Sequence, residues 1–185
     1  MSVTYAERDA AVSPLLAGAA KTVRAVRYCW LLTAADEGRV HGRPMGRLLP
    51  EPDEDEWTIR FVVDGRSRKV AEVERDGEVT LIFQDDAHDA YATLSGRATL
   101  LREEAEVRRR WKPAFDAYFP TAADRAHALF VEVRVERMAL WIRGVTQEPY
   151  GVQATELERH DGGHGGTAWR LVTGLRAAAS LAVDD

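Results

Sequence analysis

The amino-acid sequence predicts a mainly β protein, a closed antiparallel sheet with helices at its periphery. Three observations carry this expectation. Segments alternate apolar and polar residues with period two, most cleanly Trp57, Ile59, Phe61 and Val63 against Thr58, Arg60, Val62 and Asp64. Short turn signals such as Asp36-Glu37-Gly38 and Asp85 to Asp89 separate most strand-like segments, as hairpins require. Few helical stretches interrupt the strands, which disfavours a doubly wound parallel sheet.

The elements follow in order. Ser13-Pro14 reads as a helix start, with Leu15, Leu16, Ala19 and Val23 at helical spacing behind it. Tyr28 to Thr33 is apolar enough for a buried strand, and Val40 to Leu49 is its hairpin partner. Pro50 to Glu56 is an acidic loop, expected to be solvated. Trp57 to Val63 is the third strand. Asp64-Gly65-Arg66 breaks it, and Ser67 can cap a short helix to about Asp76. Val79 to Gln84 and Ala90 to Leu101 are the next strands. Glu103 to about Phe119 reads as a helix that Pro113 should bend or divide. Val131, Val133 and Val135 alternate with Glu132, Arg134 and Glu136 in a strand that Arg137 to Trp141 continues or pairs with.

The length of 185 residues suits a single core. We place it in residues 1–146, followed by an extension over 147–185. That extension holds a Gly-rich linker, His160 to Gly166, and a short helix from Thr167 to about Ala182.

Bulk properties exclude several classes. Hydrophobic residues make up 45% and charged residues 30%, the balance of a globular domain. The net charge of −5 disfavours a nucleic-acid partner, and Arg108-Arg109-Arg110 beside Glu103, Glu104 and Glu106 reads as a solvated helix face. No apolar run approaches the roughly 20 residues needed to span a bilayer, and Met1 to Asp9 is no signal peptide, so a cytoplasmic location without membrane contact is expected. The single cysteine, Cys29, reads as a small core residue.

Ser67-Arg68-Lys69 is the most informative local feature. It follows a strand and a glycine turn, and it opens a helix. An anion is attracted there by free backbone N–H groups and by the helix dipole. Arg68 can grip phosphate oxygens in pairs, Lys69 adds a compact charge, and Ser67 adds a hydroxyl. A second feature is His41-Gly42-Arg43-Pro44-Met45. Pro44 marks an edge or a bulge, and Arg43 is a cation in an apolar strand. Its partner is either a phosphate or an acid on a neighbouring strand.

Together these features resemble the pyridoxamine 5′-phosphate oxidase-like, FMN-binding split-barrel superfamily, nearest its general stress protein group. The resemblance is carried by Gly42-Arg43-Pro44-Met45, by Trp57 to Val63, and by Ser67-Arg68-Lys69-Val70 followed by Glu72-Val73-Glu74-Arg75. It continues through Ala92 to Ala98, Trp111, Tyr118-Phe119-Pro120 and the strands ending at Trp141.

The resemblance implies a six-stranded antiparallel split β-barrel with flanking helices. It also implies a homodimer with FMN at the subunit interface. Arg43 and Lys69 would meet the phosphate, with Ser67 and Arg68 beside them. Pro44 and Met45 would lie along the isoalloxazine edge, and Phe61 and Val62 would flank the ring or ribityl chain. Trp111 would reach across from the second subunit.

This sequence departs from true pyridoxamine phosphate oxidases. Arg47-Leu48-Leu49 stands where they have a lysine, Tyr91 where they have a glutamine, and their terminal substrate-gripping segment is missing. The expected activity is therefore a flavin-dependent oxidoreductase on another small molecule. The rival expectation is a flavin-binding or flavin-sequestering stress protein without turnover. FAD, deazaflavin or haem are alternative ligands of the same fold. No metal site is expected. His160 and His164 flank glycines, and His41, His88 and His127 show no spacing for nucleophilic catalysis.

Overall fold

The structure, a computed structural model, describes residues 5–48, 50–52, 54–161 and 167–172. The eight strands among them form one antiparallel sheet. Tyr28–Ala34 (β1) and Val40–Gly46 (β2) pair as the expected hairpin, with Tyr28 opposite Gly46. Thr58–Asp64 (β3) leads into the short helix Arg68–Arg75 (α2). Glu78–Asp85 (β4) and Ala90–Leu101 (β5) form the next hairpin. Ala128–Ile142 (β6) is one continuous strand through Trp141.

The order β2-β1-β4-β5-β6, with β3 on the far side of β6, brings the ends of the sheet together. Leu48, just beyond β2, makes a single bridge to Arg60 on β3, its N–H donating to the Arg60 carbonyl at 2.8 Å. These six strands thus close into a barrel whose seam is one bridge wide. Sheet closure removes most exposed strand edge. The alternation in β3 turns Ile59, Phe61 and Val63 inward, where they meet Leu31, Leu81, Phe83 and Leu94.

β6 divides its work between two partners. Its first half pairs with β3 and its second half with Thr155–Asp161 (β7). β5 follows both halves by way of a bulge at Ser95/Gly96. Only glycine fits there, because a Cβ on Gly96 would lie 2.0 Å from the Arg134 carbonyl oxygen.

Of three helix expectations, two change and one holds. The first helix spans Tyr5–Ala25 (α1) and carries Pro14 in its interior. Val12 is already in the core, at helical spacing from Leu15, Ala19 and Val23, so packing offsets the hydrogen bond that Pro14 lacks. Pro113 does divide the next helix: Glu104–Arg110 (α3) ends, Pro113–Ala117 continues as a 3-10 turn, and Ala122–Arg125 (α4) follows under a Thr121/Asp124 capping box. Thr167–Leu171 (β8) is a strand on β7, not a helix; the rest of that expected helix lies outside the described residues. Cross-strand packing overrides helix propensity there, since Trp169 meets Trp57 edge-to-face at 5.9 Å. Through Leu157 the extension also enters the barrel core.

The charged loops are less solvated than expected. Glu54 is largely buried between Arg60 and Arg110, so one acid of the loop and one arginine of the triplet form a bridge across β3 and α3. Burial opposes the Glu54 charge, but hydrogen bonds from the Glu51 backbone, Arg110 and Arg60 hold its carboxyl at about 2. Cys29 is buried, and burial pushes its thiol up to about 12, as an inert core residue requires. No described helix is long and apolar enough to cross a membrane.

Candidate functional site

The site begins where β3 stops. Gly65 turns the chain tightly enough that a Cβ would lie 3.0 Å from both the His127 carbonyl oxygen and Leu129 Cδ2. Its N–H donates to that same carbonyl at 2.8 Å. Arg66 is occupied by Asp64, with Nη2 2.6 Å from Oδ2. The Ser67 N–H donates to the Asp64 carbonyl at 3.0 Å, closing the turn from which α2 starts.

Ser67 has the extended backbone of an N-cap, yet its hydroxyl caps nothing. Its Oγ is buried and has no hydrogen-bond partner. Buried polar atoms in folded proteins are nearly always satisfied, so this hydroxyl is a hydrogen-bonding group left over at the helix start. Of the first-turn N–H groups of α2, that of Val70 donates to the Ser67 carbonyl at 3.0 Å, and those of Arg68 and Lys69 precede the first intrahelical bond. Lys69 makes no ion pair among the described residues. Burial, then the charge of Arg43, lowers its pKa. A helix start, an orphaned hydroxyl and a partly desolvated ammonium form an anion cradle. A phosphate-bearing cofactor fits this donor set.

The cradle opens on a cleft of about 460 Å³. That volume lies within the ~300–1,000 Å³ of small-molecule sites. Pro44, Met45 and Val62 line it with Lys69, and Tyr118 stands exposed at its rim. The Arg27 guanidinium lies over the Tyr28 ring at 5.1 Å on the same wall.

Arg43 meets an acid, and the acid comes from a helix rather than a strand. Its Nη2 donates to Glu72 Oε2 at 2.7 Å, and its Nη1 to Thr33 Oγ1 at 2.7 Å. Glu72 also accepts from Thr33 Oγ1 at 2.6 Å and faces His41 Nδ1 at 2.6 Å. Arg68 Nε lies 3.2 Å from the same carboxylate.

The structure thus brings Pro44, Met45, Val62 and Lys69 to one cleft, with Ser67 and Arg68 opening the adjoining helix and Arg43 bound to that helix through Glu72. Phe61 is not a cleft wall: its side chain is wholly buried in the barrel core, because its neighbour Val62 takes the outward face. Tyr91 lies away from the cleft, its hydroxyl donating to Asp86 Oδ1 at 3.0 Å. Trp111 packs edge-on against Phe115 and Phe119, and its Nε1 donates to Asp116 at 3.0 Å; it faces a second cleft behind α3. Sequence reasoning missed Thr33, Glu72, Arg27 and Tyr118 as members of this region. For Glu72 a signal existed, since it lies between the inward-facing Val70 and Val73.

The closed six-stranded barrel with an anion-compatible helix start defines the fold class of this chain. The chain belongs to the pyridoxamine 5′-phosphate oxidase-like family, whose sequence profile matches residues 17–152. Solved structures share the fold. A Clostridium acetobutylicum protein related to general stress protein 26 superposes with a TM-score of 0.61 at 18% identity, over 70% of this chain and 89% of that one. A Nostoc punctiforme FMN-binding protein related to pyridoxamine 5′-phosphate oxidase gives 0.55 at 15% identity, over 94% of this chain and 100% of that one. The general stress FMN/FAD-binding protein of Xanthomonas citri gives 0.54 at 19% identity, over 72% and 92%. No curated protein matches the chain.

Proposed function

We propose that this protein binds FMN by its phosphate at the start of α2 and acts as a flavin-dependent oxidoreductase on a small molecule other than pyridoxamine phosphate. The observation that carries this reading is the buried, unpartnered Ser67 Oγ beside Lys69. Ser67, Lys69 and the first N–H groups of α2 would hold the phosphate, with Arg43 and Arg68 completing the positive rim. Pro44, Met45 and Val62 supply the apolar walls that a ring system needs. A bound flavin supplies the hydride and electron chemistry; the chain contributes binding, orientation and exclusion of water. The FMN-binding and FMN/FAD-binding relatives of the same fold favour a flavin over haem.

We further propose a homodimer. The outward face of β1 and β2 exposes Tyr28, Trp30 and Val40 together, with Tyr28 and Trp30 about half exposed at 50% and 49%. Exposed apolar side chains on one strand face support this reading, since a homodimer would cover them. Trp111, which does not reach its own cleft, would act across that interface.

The test is titration of the purified protein with FMN, followed by absorbance, in wild type and in Ser67→Ala/Lys69→Ala. Saturable binding that the double variant loses supports the reading. Bound flavin that neither reduced nicotinamides nor organic donors bleach would make the protein a flavin-sequestering one.

A further inference from the structure

Glu72 is the centre of a polar cluster that the cradle alone does not require. Its side chain is 5% exposed, and groups from three elements converge on it. Thr33 comes from β1, His41 and Arg43 from β2, and Arg68 from α2 itself. Thr33 Oγ1 accepts from Arg43 Nη1 and donates to Glu72 Oε2, so the guanidinium is fixed at two points by a carboxylate that is itself fixed.

An arginine carries five N–H donors. Two are used here, one on each terminal nitrogen. The others remain for an incoming anion, and Lys69 is close enough for its pKa to feel the Arg43 charge. Without Glu72 these cations would repel one another, and the long arginine side chain would have to be ordered by the ligand at the moment of binding. Breaking the Arg43–Glu72 pair when a ligand binds would strand a buried carboxylate, which is strongly unfavourable. The pair is therefore built to persist on binding.

We infer that Glu72 is a positioning residue: it holds Arg43 toward the anion cradle and so gives the site its preference for a ligand that carries a phosphate over the same ligand without one. The inference rests on the flavin reading for the identity of that ligand. The opposite reading of the same contact, in which Glu72 competes with phosphate for Arg43, predicts the opposite sign.

The experiment compares FMN with riboflavin, which lacks the phosphate, by calorimetry on wild type, Glu72→Gln and Thr33→Val. Hydrogen bonds to charged groups of this kind correspond to roughly tenfold to a hundredfold in affinity. A loss of that size is expected for FMN in Glu72→Gln, a smaller loss in Thr33→Val, and little change for riboflavin in either. In an Arg43→Ala background Glu72→Gln should have no further effect on FMN. General damage to the fold would weaken both ligands equally, and that result overturns the inference, as does unchanged or tighter FMN binding. Thr33→Val keeps the test decisive if Glu72→Gln does not fold. Should wild type ignore FMN, the flavin reading fails by itself. The same variants are then titrated with inorganic phosphate followed by phosphorus NMR, where loss in Glu72→Gln supports the positioning role and equal binding overturns it.

Discussion

Glu72 Oε2 and Arg43 Nη2 lie 2.7 Å apart, an ion pair buried between the second helix and the strand beside the barrel seam. Burial alone would raise the Glu72 carboxyl. Hydrogen bonds from Thr33, His41 and Arg43 outweigh it and hold the group at about 2, against an ordinary 4.5. A carboxylate depressed in this way stabilises the fold at every pH above its ordinary value. That contribution disappears as pH falls from about 4.5 toward about 2. Melting curves should therefore show wild type losing stability through this window. Glu72→Gln should melt lower at neutral pH and fall less steeply over the same range, since Glu54 and Asp64 still titrate in it. Parallel curves would contradict the pairing.

Ser67 offers a separate test. Replacing a working N-cap serine by alanine ordinarily costs about 0.5–2 kcal/mol. Here the hydroxyl caps nothing and its oxygen is buried without a partner. Ser67→Ala should leave the stability of the flavin-free protein within about 0.5 kcal/mol of wild type. FMN affinity should nevertheless fall roughly tenfold. Urea unfolding and flavin fluorescence titration on the same preparation read the two effects.

The bulge in β5 makes a sharp contrast between two glycines. A Cβ at Gly96 would sit 2.0 Å from the Arg134 carbonyl oxygen, whereas Gly38 has a φ of +71° and open space around it. Gly96→Ala must displace backbone and should destabilise by about 2–4 kcal/mol. Gly38→Ala meets only the left-handed penalty of about 1–2 kcal/mol. Chemical denaturation midpoints should rank them in that order.

The C-terminal strand makes its own prediction. Trp169 packs edge-to-face on Trp57 and beneath the Arg159 guanidinium. Trp169→Ala should cost about 1–3 kcal/mol and change the near-ultraviolet circular dichroism of Trp57. A variant as stable as wild type would contradict the docking of β8.

The sequence made the barrel strands legible because period-two alternation is a direct trace of one buried face. Val62 and Phe61 show the limit of that reading. They are neighbours on one strand, so only one can face the cleft; the alternation already assigned Phe61 to the core, and the family resemblance pulled it outward. The anion cradle was legible because its parts, Gly65, Ser67 and Lys69, fall within one five-residue stretch of sequence. The Glu72 cluster was not, because Thr33, His41 and Arg43 lie 39, 31 and 29 residues away and only the fold gathers them. The β8 strand was missed for a related reason: five residues with mixed propensity became a strand through pairing with β7.

Absorbance titration of the purified chain with FMN tests the central claim most directly. Saturable binding at micromolar or tighter affinity, weakened strongly in Ser67→Ala/Lys69→Ala, is the predicted result. A chain whose spectrum and affinity show no FMN binding, or whose binding survives the loss of both residues unchanged, would contradict the phosphate cradle at the start of the second helix.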